Sequence, residues 1–168
     1  MLKNIVLSGS GSKFYIHLGA IKKLTEEKLI DNLTTYVGCS GGAIVSIFLA
    51  AGYSVDTIID LFLKIDYTNH LKKINSDSIL NFFENFGVDD GSNLERVFRI
   101  ILKNKLSNTH LTFKEFFEKT GKNLVICSTN LNKNVEFYFN YKNTPEVDVI
   151  DAVLMSASVP FIYVPKTY

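Results

Sequence analysis

Cysteine is scarce in this chain. Cys39 and Cys127 are the only two in 168 residues, too few for a disulfide scaffold, so a reduced, cytosolic setting is the expectation. Charge of one sign is also missing: 18 Lys and Arg stand against 17 Asp and Glu, scattered along the chain. A nucleic-acid partner needs a concentrated basic face, and that class is excluded. Long hydrophobic runs are absent too. The longest stretch, residues 43–51, contains Ser46 and is about half of the ~20 residues a membrane span requires. The N-terminus offers only Ile5-Val6-Leu7 before Ser8 and Gly9, without the apolar core of a signal peptide. Repeats, linkers and low-complexity tracts are lacking, and 46% of the residues are hydrophobic, enough to bury one core. A single domain over residues 1–168 follows.

What is present has an order. Residues 5–7 predict a short buried strand running into Ser8-Gly9-Ser10-Gly11-Ser12-Lys13. Residues 15–28 then place Ile16, Leu18, Ala20, Ile21 and Leu24 on one helical stripe. The unit repeats: a strand over 33–37 ends at Gly38-Cys39-Ser40-Gly41-Gly42, and 43–51 continues as an apolar helix closed by Gly52. Beyond it the pattern turns mostly helical over about 54–120. Ser54 is set to cap a helix over 55–64, and residues 77–86 are amphipathic. Ser92 with Glu95, and Thr112 with Glu115, both have the capping-box form. Strands are expected at 124–128 and 135–139 around an Asn-rich turn, with a last helix at 148–155 before Pro160 and Pro165. Strand–helix alternation at the start implies an α/β domain with a parallel or mixed sheet, and the helical middle reads as an insertion.

Gly38 to Gly42 has the form Gly-x-Ser-x-Gly between a predicted strand and a predicted helix, the context in which the motif carries meaning. A serine on so sharp a bend needs small neighbours, which Gly38, Gly41 and Gly42 supply beside Cys39. The helix that follows points unpaired N–H groups at Ser40, favouring an alkoxide or a tetrahedral oxyanion. The bland alternative is a glycine-rich turn that happens to hold a serine. The earlier loop, Gly9-Ser10-Gly11-Ser12-Lys13, presents successive backbone N–H groups and so forms an anion-binding nest. Its spacing is wrong for a phosphate-binding Walker loop, and Phe14 stands where a dinucleotide fingerprint needs its third glycine. An oxyanion hole opposite Ser40 accounts for both motifs together.

The two motifs together resemble the patatin-like phospholipase family, whose glycine-rich loop aligns with Gly9 to Phe14 and whose elbow aligns with Gly38 to Gly42. Ser156-Ala157-Ser158-Val159-Pro160 through Pro165 looks like the family's Ala/Ser-rich segment with two prolines. The resemblance spans nearly the whole chain. It implies a three-layer α/β fold with a central parallel or mixed sheet, incomplete here at the C-terminus. It also implies a Ser-Asp dyad without histidine and hydrolysis of phospholipid or other lipid esters at a membrane surface. By carry-over Ser40 is the nucleophile, and the N–H groups of Gly9, Ser10 and Gly11 form the oxyanion hole. No metal and no cofactor is implied, and the pattern fixes no oligomeric state. Lipid acyl hydrolysis, phospholipase A-like, is the first functional expectation. A catalytically silent, truncated relative that binds lipid or protein is the second, and a nucleotide-binding module using residues 9–13 the third.

Three departures qualify the resemblance. Ser10 replaces a glycine, Phe14 replaces the last glycine of the loop, and no Asp-Gly follows the proline segment before Tyr168. The general base is therefore unassigned. Asp90-Gly91 reads as a turn opening a helix, and Asp151 sits on a predicted helix without a following glycine. His17 is expected to pack under the loop, and His70 and His110 to be solvated. Lys13 is read as a solvated lysine or a clasp for the loop. Phe82, Phe83 and Phe86 read as a core stripe, and otherwise as a lid facing acyl chains.

Overall fold

The computed structural model describes residues 2–64, 82 and 86–167. Strand β1 (Asn4–Leu7) leads through a 3-10 turn (Gly11–Phe14) into helix α1 (Tyr15–Glu26), and β2 (Thr35–Cys39) leads into α2 (Gly41–Ala50). Next come α3 (Val55–Lys64), β3 (Gly87–Asp89), α4 (Ser92–Leu106) and α5 (Phe113–Thr120). The chain ends with β4 (Asn123–Asn130), β5 (Val135–Phe139), α6 (Val149–Ala157) and β6 (Phe161–Tyr163). Most of the amphipathic stretch 77–86 lies outside the described residues, as does His70.

Local chemistry explains most of these boundaries. Thr112 and Glu115 form the expected capping box, with the Thr112 Oγ1 accepting from the Glu115 amide at 3.2 Å and the Glu115 carboxylate accepting from the Thr112 amide at 2.9 Å. Gly121, at φ 65°, ends α5 in the left-handed cap that glycine adopts most easily. Ser54 caps α3, its Oγ accepting from the Thr57 amide at 3.2 Å. The second expected capping box does not form. Gly91, at φ 74°, takes the cap position of α4, and Glu95 is drawn instead to Arg99 and Lys166.

The main sheet has the order β1-β2-β4-β5, the first three strands parallel and β5 antiparallel to β4. Each parallel strand is added on the same side of the one before it. With the usual right-handed crossovers, this growth puts the connecting helices on one face. Burial agrees: the row Leu7, Gly38, Ile126 and Phe139 lies buried toward the helices, whereas Val6 is 73% exposed on the opposite face. The fold is thus α/β with a mixed sheet, its described helices forming a layer on one side. β3 and β6, three residues each, pair in parallel as a separate small sheet.

Helix α2 is the centre of the core. It is apolar on every side, and all its residues except Ile44 and Leu49 are buried, as a helix enclosed by neighbours must be. Phe48 meets the rings of Phe62, Phe98 and Tyr53 edge-on at 5.7 to 6.2 Å. Ser46, the polar break in this run, is fully buried and donates to the Val37 carbonyl at 3.2 Å. Its hydroxyl is satisfied by the strand beneath it.

Arg99 of α4 anchors α6. Its Nη1 donates to both Asp148 oxygens at 3.1 Å and to the Thr109 carbonyl at 3.0 Å, and its Nη2 donates to Asp151 at 2.6 Å. Asp148 in turn caps α6, accepting from the amides of Ile150 and Asp151. On the other side, Arg99 Nε and Lys166 Nζ donate to Glu95 at 2.9 and 3.0 Å. Burial alone would raise the Glu95 carboxyl, but Lys166 and Arg99 overcome it and hold it below the usual range. A carboxyl depressed in the folded state adds stability above its unfolded pKa and loses it as pH falls through the folded value. Glu95→Gln should therefore lower the melting temperature at pH 7, with the gap to wild type closing below about pH 4 in a pH series of thermal melts.

Candidate active site

Parallel pairing of β1 with β2 sets Leu7 beside Gly38, so the loops that leave both strands emerge at one sheet edge. In open α/β sheets this C-terminal edge is where ligands bind. The glycine loop and the elbow meet there: a Cβ built on Gly9 would stand 3.7 Å from Ser40 Cβ and 3.9 Å from Cys39 Sγ. Behind them, Ser10 Oγ and the Gly11 carbonyl lie 2.6 and 2.9 Å from where a side chain on Gly41 would begin. Two glycines permit this closeness. A Cβ on Gly38 would come within 2.5 Å of Ala43 Cα, and one on Gly42 would collide with the Leu7 carbonyl oxygen. Helix α2 can leave β2 in backbone contact with β1 because these two positions lack side chains.

Ser40 adopts φ 51°, ψ −120° at the cap position of α2. That conformation is costly for a residue with a side chain and persists only where its surroundings hold it, at a cost of about 1–3 kcal/mol. Here both backbone groups are held. Its carbonyl accepts from the amides of Ala43 and Ile44 at 2.9 and 3.2 Å, and its amide donates to Ser156 Oγ at 2.7 Å. Its own Oγ makes no hydrogen bond among the described residues.

The loop has unspent donors. Among the described residues, the amides of Gly9, Ser10 and Gly11 donate to no protein group, while the Ser10 carbonyl accepts from Lys13 N at 2.9 Å. Ser10 sits at φ −142°, so the replacement of glycine there brings no left-handed strain. Phe14 is 5% exposed and turns into the core, stacked on Tyr15 with ring centroids 4.3 Å apart and edge-on to Phe62 at 4.9 Å. The ring therefore packs behind the loop and does not crowd its mouth.

A family profile described as patatin-like phospholipase matches residues 5–168. The chain belongs to the patatin-like phospholipase family. It is 32% identical over 168 residues to the probable lipid hydrolase 463L of Invertebrate iridescent virus 6, covering 99% of this chain and 56% of that protein. It is 34% identical over 171 residues to the uncharacterized protein R571 of Acanthamoeba polyphaga mimivirus, covering 99% and 55%. The chain thus spans about half the length of these relatives. Among solved structures, VipD from Legionella pneumophila superposes with a TM-score of 0.72 at 22% identity, over 99% of this chain and 44% of that one. ExoU of Pseudomonas aeruginosa, solved in complex with SpcU, superposes at 0.70 and 21% identity, over 95% and 38%. At such identities the likeness is one of fold.

The remaining candidates in this patatin-like chain fall elsewhere. His17 Nε2 donates to the Ser8 carbonyl at 3.0 Å, tying α1 to the start of the loop rather than serving Ser40. His110 is exposed and lies 3.6 Å from Asp148. Asp90 accepts from the Ser92 amide at 2.9 Å, the turn that its sequence suggests. Asp151 is bound by Arg99; burial and the neighbouring Asp148 push its carboxyl up, against the pull of Arg99. Neither imidazole nor carboxylate hydrogen-bonds Ser40 Oγ among the described residues. Cys39 lies in register with Cys127, and burial together with Cys39 pushes the Cys127 thiol up, which makes it a poor nucleophile. Among the described residues, no group of three or more His, Cys, Asp or Glu could hold a metal. Phe86 is 67% exposed and Phe83 lies outside the described residues. Ser156 is the contact that sequence reasoning missed. Its only signal was membership of the Ser-Ala-Ser segment, which says nothing of a partner 116 residues away.

Ser10 Oγ is buried with no hydrogen-bond partner among the described residues. A buried hydroxyl left unpaired costs about 1–3 kcal/mol. Ser10→Ala should accordingly raise stability by roughly 1 kcal/mol in denaturant unfolding while leaving the loop amides in place.

Proposed function

We propose that this chain supplies the nucleophile and the oxyanion-binding amides of a lipid acyl hydrolase of phospholipase A type. The observation that carries the reading is the strained Ser40, with an unengaged hydroxyl, set against a loop whose amides at Gly9, Ser10 and Gly11 are unspent. Ser40 Oγ attacks the ester carbonyl carbon, and the carbonyl π electrons move to its oxygen as the serine proton passes to a base. The resulting oxyanion lies where the loop amides converge. Collapse expels the alcohol, which takes up a proton, and leaves an acyl-Ser40 ester that water cleaves to regenerate the serine. Each oxyanion donor of this kind supports about 2.7–4 kcal/mol of the barrier reduction.

Family membership and the curated relative named as a probable lipid hydrolase support a lipid ester as substrate. No described helix is long and apolar enough to cross a membrane, and we read the substrate as being met at a lipid surface. Residues 54–120, which lead from α2 to β4, are read as a mostly helical insertion. A second reading, an inactive lipid- or protein-binding relative, is favoured by one observation: no described base touches Ser40 Oγ.

One pair of measurements separates these readings. In the full-length protein, Ser40→Ala should lower esterase turnover on a short-chain phospholipid by at least about a thousandfold and abolish labelling by a fluorophosphonate probe. Unchanged turnover in Ser40→Ala would overturn the nucleophile assignment, and a wild-type protein that neither turns over nor labels would establish the inactive reading.

A further inference from the structure

Past Cys39 the chain leaves the sheet, and the Ser40 amide no longer faces a strand carbonyl. Ser156, near the end of α6, meets it there. Its Oγ accepts from Ser40 N at 2.7 Å, and its O–H donates to the Cys127 carbonyl at 2.5 Å. Because Cys127 is the lateral partner of Cys39, the hydroxyl joins the amide one step past the last paired residue of β2 to the carbonyl of that residue's partner on β4. A ladder bond would hold the chain extended; a hydroxyl in its place lets it turn at Ser40 while both backbone groups remain satisfied. The bridge uses the one proton of Ser156 and one of its two lone pairs.

The bridge also decides which amides are free. The amide of a nucleophilic serine can itself serve as an oxyanion donor. Here it is already engaged by Ser156 Oγ. We infer that Ser156 is a positioning residue for the nucleophile: it fixes the bend at Ser40 and withholds that amide from the oxyanion. The inference rests on the reading of Ser40 as nucleophile.

Two readouts test it, one independent of activity. By amide hydrogen exchange, Ser40 N–H should be protected in the wild-type protein and should exchange at least about tenfold faster in Ser156→Ala, the loss of one partly buried hydrogen bond. Fluorophosphonate labelling of Ser40 and kcat on a short-chain ester should fall about tenfold or more with KM little changed. Ser156→Thr, which keeps the hydroxyl, should restore both, and Ser158→Ala, which removes a hydroxyl that among the described residues bonds only the Leu154 carbonyl of the helix it caps, should change neither. An unprotected Ser40 amide in wild type would overturn the inference whether or not the alanine variant folds. So would a Ser156→Ala protein that labels at the wild-type rate. If Ser40→Ala leaves activity intact, the nucleophile reading fails, and the exchange result still judges the bridge.

Discussion

A serine at φ 51°, ψ −120° is in a conformation that its side chain resists, and at this position the rest of the molecule supplies the resistance to relaxation. From below, the first turn of α2 closes on the Ser40 carbonyl; from the side, Ser156 takes the amide. The glycines at 38 and 42 remove the bulk that would push strand and helix apart. Because β1 and β2 run parallel in register, the same bend that exposes Ser40 brings it against Gly9. The elbow serine and the glycine loop are therefore a single construction whose parts sit about thirty residues apart in sequence.

The hold on Ser40 reaches far from the site. Ser156 belongs to α6, and α6 is capped by Asp148, which Arg99 grips with both Nη1 contacts while Nη2 takes Asp151. Arg99 is itself flanked by Glu95, which Lys166 shares. Two acidic groups on one helix end and one on α4 thus converge on one guanidinium whose planar fork can serve all of them. Asp151, weighed as a base in the linear reading and left unassigned, is spent on fastening α6 through Arg99.

Legibility in the sequence followed the range of the interaction. The elbow, the loop, the Thr112 cap, the Gly121 stop and the β4–β5 hairpin depend on residues within a few positions of one another, and all are readable from pattern. Strand β2 runs over Thr35–Cys39, two residues later than the apolar pattern suggests, because Leu33 is buried in the preceding loop rather than in the ladder. The Ser92 box failed because Gly91 could take the left-handed cap and because Glu95 found two cations, one of them from the far end of the chain. Strands β3 and β6 carry too few residues to show a period. Ser156 carries no local mark at all, since its partners lie 116 and 29 positions away.

The lateral pairing of Cys39 with Cys127 has a consequence for how this site would be probed. Both thiols are unbridged and half-buried, and one precedes Ser40 directly while the other's carbonyl receives the Ser156 hydroxyl. A maleimide or an iodoacetamide that reached either sulfur would place new bulk against the elbow and its brace. Under the proposed mechanism, loss of turnover after alkylation would then report steric damage around Ser40, and would be easily mistaken for cysteine chemistry.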